Sequence, residues 1–211
     1  MDYANFYKTN GHSFDEYDAS HAGRLDALVS DLHLNDLKGK VADIGCGIGF
    51  LHKRLCPEVQ ENYYGFDGAE VTNMPFKYRQ VDLDNFTKVQ SVPNYFDTVL
   101  CFETLEHLTN PYDCLLAIKN ILKPNGKLVI SIPEISTTHN TIYPGLLYPV
   151  KNFLNFLGQM AFQVVDHRVH RVCFSQEIIT VINKGWDESK MLFKKTEEKF
   201  KSIPPHISIN L

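Results

Sequence analysis

The stretch Val41-Ala-Asp-Ile-Gly-Cys-Gly-Ile-Gly49 decides the fold of this chain. Its first four residues predict a short buried strand, its glycines a tight turn, and the residues up to about Leu55 a helix that ends before Pro57. A glycine turn between a strand and a helix lets backbone N–H groups approach a ligand, because no Cβ stands between them. The segment therefore predicts a ligand site at the end of a buried strand.

The spacing of the glycines argues against two common classes of phosphate-containing ligand. They occur at Gly45, Gly47 and Gly49, whereas a dinucleotide fingerprint has its third glycine one residue later and a phosphate loop ends in Gly-Lys-Ser/Thr. Asp43 precedes the turn, and Asp67 ends the next predicted strand, where a carboxylate can accept two hydrogen bonds from a ribose diol. These residues predict a nucleoside ligand with a cationic or zwitterionic tail.

Strand and helix patterns alternate outward from the glycine turn. Amphipathic helices are predicted over residues 20–34 and 111–122. The further strands are predicted at residues 62–66, 78–81, 96–102 and 127–132. The strand at 96–102 is nearly all apolar, which indicates that both faces of the sheet are covered. The alternation predicts one α/β domain over residues 1–211 with a mainly parallel sheet.

The composition excludes several classes of protein. The chain has 211 residues, 44% of them hydrophobic and 22% charged, as in an ordinary globular domain. A net charge of -4 argues against binding to duplex nucleic acid, for which a basic excess is usual. The five cysteines form no Cys-x-x-Cys pair, which argues against a zinc ribbon or a disulfide framework. With no export signal or membrane-spanning apolar run evident, we expect a cytoplasmic protein.

Residues 134–172 differ from the alternating part of the chain. They are rich in aromatic residues and histidines, and we expect a lid-like insertion after strand five that forms a substrate wall. Within it, Pro149 is expected to start a helix whose apolar face packs on the sheet or meets an acceptor, a dimer partner or a membrane surface. Beyond it, residues 175–183 predict a helix, and residues 191–195 with a terminal segment predict two edge strands.

The glycine turn resembles the signature loop of the class I S-adenosylmethionine-dependent methyltransferases. Tyr64-Gly-Phe-Asp67 is similar to the end of that family's second strand, and Gln80-Val-Asp-Leu83 to its adenine-side turn. Tyr95-Phe-Asp-Thr-Val-Leu-Cys-Phe-Glu103 resembles the fourth strand, and Leu122-Lys-Pro-Asn-Gly-Lys-Leu-Val-Ile130 the approach to the fifth. The similarity covers about residues 20–133 in the family's order. It implies a Rossmann-like, doubly wound, seven-stranded sheet with helices on both faces.

The resemblance also implies S-adenosylmethionine as cofactor and a role for individual residues. Asp67 would hold the ribose hydroxyls, and Asp82 would accept from the adenine amino group. Asp43 would orient the loop and the methionine amino group. Arg24 would meet the methionine carboxylate, as in the quinone-type O-methyltransferases, unless it is an ordinary surface charge. The implied cofactor residues are Arg24, Asp43, Gly45, Cys46, Gly47, Gly49, Asp67, Asp82, Leu83 and Phe102. The short polar stretch at residues 68–77 departs from the family, because it leaves room only for a turn where a helix is usual.

Two carboxylates and an imidazole follow the fourth strand. If a helix starts near Glu103, the spacing i, i+3, i+4 places Glu103, Glu106 and His107 on one face, toward the methyl-donor end. This set suits a divalent ion, with His167 or His170 as a further ligand. Alternatively, His107 is the general base and Glu103 positions it, because an imidazole exchanges protons near neutral pH. We favour the metal-free interpretation, since the sequence reveals no complete ligand set.

Three functions remain open from the sequence. The leading hypothesis is methyl transfer to a small-molecule acceptor, above all a hydroxyl, by a monomer or homodimer. The second is metal-dependent 2'-O-methylation of the 3'-terminal ribose of RNA. It is suggested because the Glu-x-x-Glu-His segment and the histidines near residue 170 resemble such enzymes as well as the quinone-type branch. The third is a non-catalytic, cofactor-binding partner protein.

Overall fold

A seven-stranded sheet positions the predicted site. The computed structural model describes residues 14–88, 92–134, 150–172 and 174–185. The helices in these ranges are α1 (Phe14–Asp31), α2 (Pro57–Gln60), α3 (Pro111–Ile121) and α4 (Val150–Gln159). The strands are β1 (Val41–Ile44), β2 (Tyr63–Asp67), β3 (Lys77–Gln80), β4 (Phe96–Phe102), β5 (Leu122–Pro133), β6 (Phe162–Val172) and β7 (Phe174–Asn183).

The strands lie in the order β3-β2-β1-β4-β5-β7-β6. β1 to β5 are parallel, with Asp43 beside Gly65 of β2 and Leu100 of β4, and β7 lies antiparallel between β5 and β6. Chain order reverses at β1, so the carboxyl ends of β1, β2 and β4 meet where α/β sheets bind their ligands. The prediction of a mainly parallel sheet of seven strands is confirmed.

Apolar side chains cover both faces of the sheet. One face packs against α3 and α4, and its core includes Ile44 and Val99. The other face packs against α1, and its core includes Leu28 and Val41. Because successive residues of a strand point to opposite faces, Asp43 lies on the same side as Val41. Asp43 is therefore directed toward the α1 layer.

The helix predicted after the glycine turn, up to Leu55, is wrong. His52–Arg54 form a single 3₁₀ turn, and α2, which begins at Pro57, has only four residues. Leu55 and Cys56 have extended backbone, the conformation that a following proline favours, so the single turn does not continue as a helix. The predicted strand and glycine turn are confirmed, and short turns follow the predicted ligand site.

The helix predicted over residues 175–183 is also wrong, because this segment is strand β7. Ile179 pairs with Ile130 of β5 on one side and His167 of β6 on the other. Ile178 is buried on the α1 face, whereas Ile179 is buried on the α3 face. A strand covered on both faces lacks the alternation of polar and apolar residues that identifies strands from sequence.

The predicted insertion, residues 134–172, belongs largely to the domain itself. Phe153 and Leu157 of α4 are fully buried in the α3-side core, and β6 completes the sheet. The apolar face predicted for this helix is confirmed, and it packs on the sheet. The rest of the predicted lid, residues 135–149, and the strand predicted at residues 191–195 lie outside the described residues. Within the described ranges, no helix is long and apolar enough to cross a membrane.

Candidate active site

The glycine turn after β1 adopts a backbone that suits glycine. Gly45, Gly47 and Gly49 have φ angles of 79°, 52° and 82°, in the left-handed region that other residues rarely adopt. A Cβ at Gly45 would overlap Oγ1 of Thr104 and lie 2.7 Å from its Cγ2. A Cβ at Gly47 would meet no described atom within 4 Å. The turn thus offers bare backbone to a ligand.

Thr104 joins this turn to the end of β4. Its hydroxyl lies 3.1 Å from the carbonyl oxygen of Ile44 and 2.9 Å from that of Phe102, and it donates to this pair of acceptors. The N–H of Gly45 donates to the carbonyl of Phe66 at 2.8 Å, which ties the turn to β2 as well. The segment that carries the predicted catalytic residues is therefore held beside the glycine turn.

Asp67, the predicted ribose ligand, is fixed at the end of β2. Its Oδ2 accepts from the N–H of Gly47 at 2.8 Å, and its Oδ1 accepts from the N–H of Ala69 at 2.9 Å. Each oxygen of a carboxylate has about two lone pairs, so each can accept one further hydrogen bond. The carboxylate holds the glycine turn and retains the capacity to accept from a diol.

Asp43 is buried beneath the turn and accepts a hydrogen bond from the hydroxyl of Tyr63. Burial raises the pKa of Asp43 to about 7, with the Tyr63 hydrogen bond lowering it and the nearby Asp67 raising it further. The carboxyl group therefore lies between its neutral and charged forms at neutral pH. A cation placed beside it would favour the charged form.

Three aromatic rings pack below the turn. The ring centroids of Tyr63, His52 and Phe76 are 4.7 to 5.1 Å apart. A Cβ at Gly49 would lie 2.9 Å from Cζ of Phe76, and a Cβ at Gly65 would lie 2.5 Å from its Cε2. Phe76 comes from the stretch before β3, which contains no helix, as its short length predicts. Its ring fills the space under the turn.

Asp82 and Leu83, the predicted adenine-side residues, lie in the turn after β3. Oδ1 of Asp82 accepts from the N–H of Asp84 at 3.0 Å, and its Oδ2 accepts from Nδ2 of Asn85 at 2.7 Å. The side chain of Asp82 is exposed, while Leu83 is buried. The residue before Asp82 donates its N–H to the carbonyl of Asp67 at 2.8 Å, so the turn adjoins the ribose-side carboxylate.

Cys46 and Phe102, also predicted to contact the cofactor, are buried. Sγ of Cys46 occupies space that Gly65 leaves open, since a Cβ there would lie 2.6 Å from the sulfur. Burial raises the pKa of the Cys46 thiol above its usual range, which keeps the thiol neutral. Phe102 belongs to the α1-side core at the end of β4. Their contacts with the cofactor stay predictions.

Glu103 is held against β5 by Ser131. Its N–H donates to the hydroxyl oxygen of Ser131 at 3.0 Å and to the carbonyl of Ser131 at 3.1 Å, and the Ser131 hydroxyl donates to Oε1 of Glu103 at 2.7 Å. The φ of Glu103 is 46°, so the helix predicted from this residue is wrong, and only Leu105–His107 form a 3₁₀ turn. Burial raises the pKa of Glu103, while Ser131 lowers it.

Glu106 and His107 form a close acid–base pair. Nε2 of His107 lies 3.7 Å from Oε1 of Glu106, and 26% of the histidine side chain is exposed. Neither carboxyl oxygen of Glu106 has a hydrogen-bond partner among the residues that the structure describes. Burial, and then the neighbouring Glu103, raise the pKa of Glu106 well above its usual range. A buried carboxyl group thus lies behind a partly accessible imidazole.

Arg24 of α1 is buried, so its interpretation as a surface charge is wrong. Its guanidinium lowers the pKa of Glu103 and that of Glu106, acting against burial in both cases. α1 therefore brings a positive charge to the acidic end of the site. The predicted contact of Arg24 with the methionine carboxylate stays a prediction.

The predicted metal ligands do not converge. Nε2 of His167 lies 2.6 Å from Oε2 of Glu177. Nε2 of His170 lies 3.0 Å from Oδ2 of Asp31, and its Nδ1 lies 3.1 Å from Nε2 of Gln176. Both histidines lie on β6, and β5 and β7 separate that strand from β4. No group of three or more His, Cys, Asp or Glu side chains arranged to hold a metal occurs in the described ranges. The ligand set that combines these histidines with the acid–base cluster after β4 is wrong.

The residues around the turn fit S-adenosylmethionine, the cofactor that the resemblance implies. The bare backbone at Gly47 permits close approach of a ligand. Asp67 and Asp82 offer acceptors suited to ribose hydroxyls and an amino group, and the Asp43 carboxyl suits an ammonium group. The individual contacts stay predictions, but the chemistry of the acceptors matches a nucleoside with a cationic tail.

The chain matches a known protein family over most of its length. A family described as "Methyltransferase domain" matches residues 16–175. The chain belongs to this methyltransferase family. The match extends from α1 to the start of β7 and so includes every predicted site residue. The resemblance to the class I S-adenosylmethionine-dependent methyltransferases is confirmed.

Two curated relatives of this methyltransferase-family chain act on different kinds of molecule, according to their names. The ubiquinone biosynthesis O-methyltransferase of Glaesserella parasuis is 32% identical over 59% of this chain and 58% of its own length. The tRNA U34 carboxymethyltransferase of Idiomarina loihiensis is 27% identical over 64% of this chain and 50% of its own length. The chain spans only about half of the length of these relatives.

A solved methyltransferase shares the fold. Magnesium protoporphyrin IX methyltransferase from Synechocystis PCC 6803, solved with bound S-adenosylmethionine, matches with a TM-score of 0.58. The sequence identity is 18%, over 86% of this chain and 89% of that protein. At this identity the likeness concerns the fold alone, and it agrees with the Rossmann-like sheet of the methyltransferase family.

Sequence reasoning missed four residues that shape the site of this methyltransferase-family chain. They are Tyr63, Phe76, Thr104 and Ser131. None has a side chain that the motifs single out for chemistry, and each acts by holding another residue in place. Of these four residues, only Thr104 lies inside a motif that the sequence singles out, the Glu-Thr-Leu-Glu-His segment.

Proposed function

We propose that the protein transfers the methyl group of S-adenosylmethionine to a hydroxyl of a small-molecule acceptor. The observation that carries the proposal is the pair of Glu106 and His107, which Thr104 holds beside the glycine turn. Methylation of a hydroxyl requires the loss of its proton, so a base beside the methyl-donor site is the expected device. A partly exposed imidazole meets this requirement.

The glycine side of the site serves to hold the cofactor. When bound, S-adenosylmethionine would supply an electrophilic methyl group on a positively charged sulfur, with S-adenosylhomocysteine as the leaving group when an acceptor oxygen attacks the methyl carbon. Asp67 accepts from the ribose hydroxyls, Asp82 accepts from the adenine amino group, and Asp43 accepts from the methionine amino group. The fixed positions of these carboxylates favour transfer by orientation, which is the main catalytic effect expected for such a displacement.

The acceptor side of the site serves to move a proton. His107 takes the proton of the acceptor hydroxyl, and its ring becomes positive. An imidazolium 3.7 Å from Glu106 favours the charged carboxylate, and the carboxylate in turn favours the imidazolium. Glu103, held by Ser131, adds negative charge behind this pair when it is ionised.

A hydroxyl acceptor is supported by one relative and by the geometry together. The ubiquinone biosynthesis O-methyltransferase is named for transfer to oxygen and is 32% identical over the matched region. The metal-dependent RNA alternative loses its support, because His167 and His170 pair with other residues. Because one relative is named for modifying tRNA, the experiment that tests the proposal must also include RNA as an acceptor.

The test is mass spectrometry of acceptor mixtures incubated with purified protein and labelled S-adenosylmethionine. The mixtures contain phenols, sugars, carboxylic acids and short RNA in separate reactions. We expect label on a hydroxyl of a small molecule, and we expect His107→Ala to abolish it while cofactor affinity changes less than about tenfold. His33→Asn is the matched control, since His33 is exposed and has a φ of 51°, which asparagine tolerates. Label on RNA alone, or cofactor binding without transfer to any mixture, would contradict the proposal.

A further inference from the structure

Tyr63 holds a carboxyl group of the proposed cofactor site from below. It begins β2, is 1% exposed, and donates its hydroxyl hydrogen to Oδ2 of Asp43. The pairing of Asp43 with Gly65 makes Tyr63 the diagonal neighbour of Asp43 on the same face of adjacent strands. Diagonal neighbours are within reach of aromatic side chains, which explains how the tyrosine hydroxyl meets the carboxyl group.

The ring of Tyr63 is itself fixed. Its centroid lies 5.1 Å from that of His52 and 4.9 Å from that of Phe76, in edge-to-face contacts. Phe76 also occupies the space where a side chain at Gly49 would lie. Rotation of Tyr63 would therefore displace Phe76 and, with it, the support of the glycine turn. The hydroxyl is held in one position relative to the turn.

We propose that Tyr63 is a positioning residue for the cofactor, whose hydroxyl orients the Asp43 carboxylate toward the amino group of the methionine part. This inference rests on the proposed function, because it takes Asp43 to be the acceptor of that amino group. Tyr63 touches no part of the cofactor in this assignment. It acts by fixing which way the carboxylate faces and by stabilising its charged form.

The titratable groups near Asp43 come from β2, β4 and the glycine turn. Tyr63 favours the charged carboxylate by its hydrogen bond, while Asp67 at the end of β2 disfavours it. Cys46 of the turn and Cys101 of β4 are thiols whose pKa values burial raises, so both stay neutral. Burial raises the pKa of Asp43 and the hydrogen bond from Tyr63 lowers it. Loss of the Tyr63 hydroxyl would therefore raise the pKa of Asp43, and the carboxyl would ionise at higher pH.

Calorimetric titration with S-adenosylmethionine and with S-adenosylhomocysteine tests the role of Tyr63. Measurements span about pH 6 to about pH 9, which brackets the ionisation of Asp43. We expect Tyr63→Phe to weaken binding about tenfold near neutral pH and to move the midpoint of the pH dependence upward by about one unit, since tenfold in affinity equals one pKa unit. Tyr64→Phe is the matched control, because it removes a hydroxyl from the opposite face of the same strand. It should leave affinity and midpoint unchanged.

A second measurement does not depend on the folding of a Tyr63 variant. The unsubstituted protein should release protons on binding the cofactor near neutral pH, seen as a dependence of the binding enthalpy on the ionisation enthalpy of the buffer. Asp43→Asn should abolish this release. Identical affinity and midpoint in Tyr63→Phe would overturn the assignment of Tyr63 alone. Binding without proton release would overturn the contact between Asp43 and the amino group, and with it the role of Tyr63. Failure of the unsubstituted protein to bind either ligand at any pH would overturn the proposed function.

Discussion

Replacement of Asp43 by asparagine tests the protonation that the structure imposes beneath the glycine turn. In the folded protein, burial raises the pKa of Asp43 from 3.8 to about 7. In the unfolded chain the carboxyl ionises near its ordinary value. Between these two pH values the folded state keeps a proton that the unfolded state has lost, so the free energy of unfolding must fall as the pH rises. Asparagine has no such proton, and the variant should lack this dependence.

The change in the free energy of unfolding depends on the pH range between the unfolded-state and folded-state pKa values of Asp43. Each pH unit inside it changes the free energy of unfolding by about 1.4 kcal/mol. From about pH 5 to about pH 7, where half of the folded-state proton is already lost at the upper end, the stability of the unsubstituted protein falls by about 2 kcal/mol relative to Asp43→Asn. Burial also raises the pKa values of Glu103 and Glu106, which adds a slope of the same sign to both proteins. The difference between the proteins isolates Asp43.

Urea unfolding of both proteins without cofactor, followed by circular dichroism at several pH values, measures this difference. With a slope of roughly 2 kcal/mol per molar urea, the two urea midpoints should diverge by about 1 M between about pH 5 and about pH 7. The unsubstituted protein should lose stability toward neutral pH. Parallel pH profiles for the two proteins would refute the reasoning, because they would show that Asp43 is already ionised in the folded state.

Three further substitutions probe the contacts around the turn. Gly45→Ala should destabilise the protein by about 2 to 4 kcal/mol, from left-handed backbone strain and overlap with Thr104, and Thr104→Gly should recover part of this loss in a double-mutant cycle of unfolding. Asp67→Ala should weaken binding of S-adenosylmethionine at least about tenfold by calorimetry, and unchanged affinity would exclude its ribose role. Ser131→Ala should raise the pKa of Glu103, so the pH profile of transfer should move upward, and an unmoved profile would show that Glu103 does not affect the reaction.

Much of the fold could be predicted because the chain marks its boundaries locally. β4 occupies residues 96–102, the predicted range, since an unbroken apolar strand lies between polar turns. α3 begins at Pro111, as predicted, because proline suits the first turn of a helix and Asn110 caps it. Each of these signals depends on neighbouring residues only. The sequence predicts a helix at β7, because the place of this strand between β5 and β6 depends on pairing with other strands and not on a local pattern.

The site could be predicted only at the level of residue types. The spacing of the glycines and of Asp67 indicates a nucleoside site. The contacts that hold these residues in place, however, join distant parts of the chain. Tyr63 is 20 residues from Asp43, and Thr104 is 60 residues from Ile44. No local pattern encodes such contacts. The same limit explains the wrong metal set, because the sequence could not show that His167 and His170 find partners on β7 and α1.

Thr104 connects the two halves of the proposed reaction. Its hydroxyl contacts the carbonyl of Ile44, and its side chain fills the space beside Gly45, while the chain continues directly into Glu106 and His107. The distance between the glycine turn and the base therefore depends on one side chain and three peptide bonds. Methyl transfer depends mainly on the alignment of donor and acceptor, and errors near 1 Å are costly in such reactions. This connection fixes the position of the proposed base, His107, before any acceptor binds. Residues other than Thr104, Glu106 and His107 must therefore select the acceptor.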